Sequence, residues 1–143
     1  MKKHKRVVVF GIFDGVHEGH RALFRQAKEK GDELIVLVGR DEMCRALKNK
    51  TPRYDERKRA ELVRQEQWVD DAVLGDEDLS TYRVVLDLKP DVVCFGYDKK
   101  NLREDFERWA EETGLEIETV TLEPFEPNVY HTSLLSDEKE GGN

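Results

Sequence analysis

Two histidines three positions apart, His17 and His20, follow a β-branched run, Val7-Val8-Val9-Phe10, through the stretch Gly11-Ile12-Phe13-Asp14-Gly15-Val16. The run reads as a strand, and the histidines fall where a helix opens. Unpaired backbone N–H groups and the helix dipole make such a junction attractive to an anion. Imidazoles three apart in a first helical turn point roughly the same way. They offer two donors to one group of oxygens, as phosphoryl or nucleotidyl transfer requires when negative charge moves. Gly11 and Gly15 let the backbone turn tightly and approach a ligand, and Gly19 leaves room for a phosphate or base against the helix start. A metal would need ligands beyond the pair, and Asp14 is the candidate within sequence reach. Plain capping or surface histidines are the bland alternative. The glycines fit neither a Walker A loop, since no Gly-Lys-Ser/Thr follows, nor GxGxxG.

The elements that must position these residues alternate along the chain. Residues 6–12 read as a strand apolar on both faces, as in a central parallel strand. Residues 18–30 read as a helix, with Gly31 in the place of a left-handed C-cap. A strand follows at 33–38, then a short helix near 41–47 and a basic loop ending at Thr51-Pro52. Asp55 can cap a helix to about residue 67. Further strands are predicted at 72–75, 91–95 and 116–122, with helices at 79–88 and 102–113, the last closed by Gly114. His131 opens a short final helix, and 137–143 is predicted to be a disordered tail on a domain spanning 1–136. The alternation predicts an α/β fold with a five-stranded parallel sheet and right-handed crossovers. In such sheets ligands bind at the carboxyl ends of the strands, where Gly11–His20, Arg40-Asp41 and Gly96-Tyr97-Asp98 all fall.

Composition narrows the partners. The 143 residues carry a net charge of −7, with 38% charged and 38% hydrophobic, which suits one globular domain. No apolar run approaches the roughly 20 residues of a membrane span, and the basic start lacks a secretory apolar stretch, so a cytoplasmic location is expected. The acidic balance argues against non-specific nucleic-acid binding. Between residues 45 and 59, however, Arg45, Lys48, Lys50, Arg53, Arg57, Lys58 and Arg59 face only Asp55 and Glu56. One dense basic segment in an acidic chain predicts a specific polyanion site. Cys44 and Cys94 fit no metal spacing, and Cys94 reads as a small core residue. Trp68 and Trp109 lie on helical segments and read as packing residues.

The string Gly11-Ile12-Phe13-Asp14-Gly15-Val16-His17-Glu18-Gly19-His20 resembles the GxFDxxHxGH signature of the cytidylyltransferase-like nucleotidyltransferases. Asp70-Asp71-Ala72-Val73-Leu74-Gly75, Lys89-Pro90-Asp91-Val92-Val93 and Gly96-Tyr97-Asp98 are similar to the family's spacing. Arg40-Asp41-Glu42, the basic loop and Asp55-Glu56-Arg57-Lys58-Arg59 look most like the short archaeal-type FAD synthases, although the C-terminal cysteines typical of those enzymes are absent.

The resemblance implies a Rossmann-like sheet with helices on both faces and transfer of NMP from ATP or CTP to a phosphorylated acceptor, releasing pyrophosphate. ATP:FMN adenylyl transfer is the first reading. Cytidylyl transfer to glycerol 3-phosphate or another polyol or sugar phosphate is an alternative, as is a nucleotide-binding protein without turnover. The resemblance places His17 and His20 at the α-phosphate, Lys48 and Lys50 on the phosphates, and Arg57 as a fixed phosphate fork. Thr132 and Ser133 would take the β- and γ-phosphates at the last helix. Gly11, Phe13, Asp14 and Gly19 would line the nucleotide, with the base near Gly96, Tyr97 and Asp98. Arg40 and Asp41 would meet the acceptor. A divalent ion such as Mg²⁺ would screen the triphosphate, with Asp14 as its candidate partner, and a homodimer is common among relatives.

Overall fold

The computed structural model describes residues 4–49, 51–77 and 81–124, apart from the side chains of Leu47 and Lys48. In chain order the elements are β1 (Arg6–Gly11), α1 (Glu18–Lys28), β2 (Glu33–Val38), α2 (Asp41–Lys48), α3 (Glu56–Arg64), β3 (Asp71–Leu74), α4 (Arg83–Leu88), β4 (Val92–Phe95), α5 (Lys100–Thr113) and β5 (Glu118–Thr121). The strands form one five-stranded sheet in the order β3-β2-β1-β4-β5, parallel at every pairing.

β1 is the central strand because its residues can be buried on both sides. Val7, Val8 and Val9 have no exposed surface. Val8 lies in register between Ile35 of β2 and Val93 of β4. Successive strand residues point to opposite faces, and the core divides accordingly. Val7 and Val9 pack with Phe24 and Ala27 of α1 and Ala60 and Val63 of α3. Val8 packs with Val85 of α4 and Phe106 and Ala110 of α5. Each of the valines and phenylalanines, fully buried, contributes about 1.5–3 kcal/mol. Trp68 joins the first cluster and Trp109 the second, as packing residues. The expected α/β sheet with helices on both faces is present.

This topology makes the site. The chain leaves β1 toward α1 on one face and leaves β4 toward α5 on the other. The connections diverge between neighbouring carboxyl ends and open a crevice at the topological switch point.

Several boundaries differ from the sequence reading. α1 ends at Lys28, capped by Glu29 in ordinary right-handed geometry. Gly31 is therefore not a left-handed cap; a side chain there would press on Val7 and the Lys5 carbonyl. Asn49 (φ 54°) supplies the left-handed cap of α2, and Gly114 (φ 80°) that of α5, as expected. Asp55 caps α3 as expected, accepting from the Lys58 N–H at 2.8 Å. The predicted final helix and tail, with Thr132 and Ser133, lie outside the described residues, as does Lys50. Among the described residues no helix is long and apolar enough to cross a membrane.

Candidate active site

His17 is the N-cap of α1 and His20 its third helical residue, and each closes a bond for the other's backbone region. His17 Nδ1 accepts from the Gly19 N–H at 3.0 Å. His20 Nδ1 accepts from the His17 N–H at 3.2 Å. The two rings stack with centroids 3.8 Å apart and planes 19° apart. A ring nitrogen that accepts carries no proton, so in the neutral imidazole the proton sits on Nε2. The reciprocal cap thus orients both rings and fixes both as Nε2–H donors. The capping reading and the catalytic reading are the same geometry.

Phe13, expected to line the nucleotide, packs as a support beneath this pair. It takes a left-handed backbone (φ 56°), is 1% exposed, and meets the His20 ring edge-on at 5.1 Å. Its ring lies over Gly11, so the space left by that glycine is filled by protein, not by ligand. Gly19 contributes the N–H that His17 accepts.

Asp14 does not behave as a metal ligand. Its Oδ2 accepts from the Arg53 N–H at 2.6 Å and its Oδ1 from the Tyr54 N–H at 2.9 Å. The carboxylate ties the chain entering α3 to the loop after β1. Among the described residues, no group of three or more His, Cys, Asp or Glu side chains could hold a metal ion.

The arginine buried in α3 is Arg59, not Arg57. The family resemblance matches Arg57, not Arg59, to the phosphate fork. Arg57 is exposed, whereas Arg59 has no exposed surface. Its Nη1 donates to the carbonyls of Ile12 at 2.9 Å and Gly39 at 2.7 Å, and its Nε to the Tyr54 carbonyl at 3.0 Å. Its Nη2 meets Asp41 Oδ1 at 2.6 Å. One guanidinium thereby fastens the loops after β1 and β2 to the start of α3. A signal existed in the sequence: Arg59 precedes Ala60 and stands four before Val63, in phase with the apolar face of its helix.

Arg40 and Asp41 are likewise engaged within the fold. Arg40 Nε donates to the Gly75 carbonyl at 2.9 Å and its Nη1 to Glu56 at 3.2 Å. Asp41 takes Arg59, and its N–H donates to Glu56 at 2.9 Å. Their side chains join α2, α3 and the end of β3, which gives them a framework part. Lys48 ends α2, and its side chain lies outside the described residues.

On the other side of β1, an open groove of about 390 Å³ runs beside Gly96 and Tyr97 to Lys100, Arg103, Glu107 and Thr121. Tyr97 is 56% exposed at its lip. One wall is a polar chain: Thr119 Oγ1 donates to Glu107 at 2.5 Å, and Glu107 accepts from Arg103 Nε at 3.0 Å. Arg103 continues the chain to the Thr121 hydroxyl. The Thr119 hydroxyl and then Arg103 hold the Glu107 carboxyl below its ordinary range. Asp98 is exposed beside Gly96. Burial lowers the pKa of neighbouring Lys99, with Asp98 opposing. Of the predicted base-binding residues, Gly96 and Tyr97 line this groove and Asp98 stands beside Gly96.

Comparison with known proteins bears on this geometry. Residues 8–137 match the family described as Cytidylyltransferase-like. A curated FAD synthase of Thermoplasma acidophilum is 35% identical over 130 residues, 91% of this chain and 90% of that protein. The FAD synthase of Pyrococcus horikoshii is 39% identical over 117 residues, 82% of this chain and 79% of its own. A crystal structure described as the lipopolysaccharide core biosynthesis protein from Thermoplasma volcanium GSS1 superposes with a TM-score of 0.80 at 32% identity. That match covers 87% of this chain and all of the other.

Proposed function

The chain belongs to the cytidylyltransferase-like family, and from that premise we propose that it is an FMN adenylyltransferase, joining AMP from ATP to the phosphate of FMN and releasing pyrophosphate. The observation that carries the reading is the reciprocal His17–His20 cap at the end of the central strand. The similar curated relatives, which are FAD synthases, support the choice of nucleotide and acceptor.

The reaction asks little covalent chemistry of the protein. A phosphate monoester has a second pKa near 6, so the attacking oxygen is already anionic and needs no general base. It bonds to the α-phosphorus while the bond to the β-bridging oxygen breaks, and the electron pair leaves on pyrophosphate. His17 and His20 direct their Nε2–H groups at the α-phosphate oxygens where charge accumulates. The donors are oriented in advance by the cap, so little reorganisation is needed during transfer. The purine takes the groove beside Gly96 and Tyr97, where the exposed Tyr97 ring can lie against it. The divalent ion of Mg·ATP neutralises the triphosphate and travels on it. Lys50, Thr132 and Ser133 keep the phosphate-binding parts that the family resemblance gives them.

The test is pyrophosphate release across ATP or CTP against FMN, glycerol 3-phosphate, pantetheine phosphate and sugar phosphates. Release with ATP and FMN alone is expected. Release with CTP and a polyol phosphate would replace the substrates while leaving the histidines their task. Nucleotide-dependent thermal stabilisation without release in any combination would make the chain a binder.

A further inference from the structure

We infer that Arg53 is the residue that grips the acceptor's phosphate, and that the acceptor enters from the β2 side of the histidine pair. This inference rests on the adenylyl-transfer reading above and adds to it the contact that recognises the nucleophile.

Three features hold Arg53 in place. Asp14 accepts from its backbone N–H at 2.6 Å and from the next N–H, of Tyr54, at 2.9 Å. The Tyr54 ring lies under its guanidinium, 4.9 Å from centroid to Cζ, a cation–π arrangement. The guanidinium occupies the space where a side chain at Gly15 would stand, and Gly15 holds a left-handed backbone (φ 102°) that favours glycine. Arg53 is therefore seated against the loop two residues before His17, although it is 38 positions further along the chain from Gly15.

Among the described residues the charge is held in place but not neutralised. Asp14 spends its carboxylate on backbone N–H groups rather than on the guanidinium. Among the described residues, the one hydrogen bond of the Arg53 side chain is a long contact of 3.5 Å to the Asp14 carbonyl. Among the described residues no carboxylate forms an ion pair with it. A positioned, exposed guanidinium with unspent donors matches a phosphate monoester, which it can bind through two parallel N–H···O bonds.

The sheet order assigns it to the acceptor rather than to the base. β1 stands between β2 and β4. The groove beside Gly96 lies on the β4–β5 side, and Arg53 lies on the side of α3, which packs on β2 and β3. Arg53 is thereby kept away from the base and set beside the loop that leads into His17, and separate KM values for ATP and FMN read which phosphate it holds. Arg40 and Asp41, expected from the family resemblance to meet the acceptor, are engaged with Gly75, Glu56 and Arg59.

The experiment compares wild type with Arg53→Gln and Arg53→Lys, varying FMN and ATP separately and following pyrophosphate. Arg53 is exposed, so both variants should keep the wild-type circular dichroism spectrum and Tm. Expected is a rise in KM for FMN of about 10- to 100-fold in the Gln variant, with KM for ATP within about twofold and an intermediate value for Lys. Riboflavin, which lacks the phosphate, should quench equally with wild type and variant when titrated beside an unreactive ATP analogue. An unchanged KM for FMN, or an equal rise for both substrates, would overturn the inference while leaving the adenylyl-transfer reading intact. If wild type ignores FMN but uses another phosphorylated acceptor, that reading fails. A selective rise in KM for the new acceptor in Arg53→Gln then upholds the phosphate contact, and no rise overturns it.

Discussion

The Arg59 guanidinium and the Asp41 carboxylate meet at 2.6 Å beneath the carboxyl ends of β1 and β2, and the same guanidinium holds three backbone carbonyls. The pair is the fastening of the active-site floor: it fixes where the loop carrying Asp14 and the start of α3 lie relative to each other. Removing one partner of such a pair leaves buried polar groups without bonds. Arg59→Ala should cost about 3–5 kcal/mol of unfolding free energy, read from urea denaturation. Arg57→Ala, at an exposed position, should change it by no more than about 0.5 kcal/mol. Equal effects at the two positions would contradict the clamp.

The reciprocal cap predicts that folding and chemistry separate at His17. His17→Asn keeps a side-chain oxygen that can cap α1 but loses the Nε2–H donor. Its Tm should stay near wild type while kcat falls by about 100- to 1000-fold. His17→Ala should lose about 1 kcal/mol of stability in addition. His20→Ala should abolish turnover and keep much of the nucleotide affinity. Measured by denaturation and pyrophosphate release, a fully active Asn variant would show that His17 only caps.

Two carboxylates make stability fall in acid. Arg6 first, and then His4, hold Glu33 below its ordinary value; the Thr119 hydroxyl and Arg103 do so for Glu107. The unfolded chain releases these protons near pH 4.3, whereas the folded chain holds on to the charged form at lower pH. Below that point the unfolded state binds more protons, so stability rises with pH there. Their contribution is present in full above the unfolded value and is lost as pH falls through the folded one. Unfolding free energy measured between neutral pH and acid should show a shallower acid slope in Glu33→Gln and in Glu107→Gln than in wild type.

Both cysteines are sealed in the fold. Cys44 is 1% exposed and Cys94 not at all, and burial pushes the Cys94 thiol up to about 12. The thiolate is the reactive form. A disulfide-exchange reagent at mildly alkaline pH should therefore label neither residue in the native protein and both after addition of denaturant. Rapid native labelling would mean that β4 or α2 opens readily.

The sequence by itself determined the elements and the chemistry. The unbroken valines of β1 announce a strand covered on both faces, and alternation with amphipathic helices dictates a parallel sheet. His17 and His20 at a strand–helix junction announce two donors for a phosphate, because spacing within one helical turn is local geometry. What required tertiary structure was every decision that depends on distant segments meeting. Arg57 and Arg59 stand two apart, on opposite sides of one helix. Which of them is buried depends on how α3 is rotated against the sheet, and burial of Ala60 and Val63 turns Arg59 inward. Phe13 reads as a site residue until its left-handed backbone folds the ring under His20. Arg53 reads as one cation among seven in its segment until Asp14, 39 positions earlier, pins its backbone beside Gly15. A carboxylate and a backbone amide carry no mark in the sequence of whether they will pair; only the sheet that brings the ends of β1 and β2 together decides it.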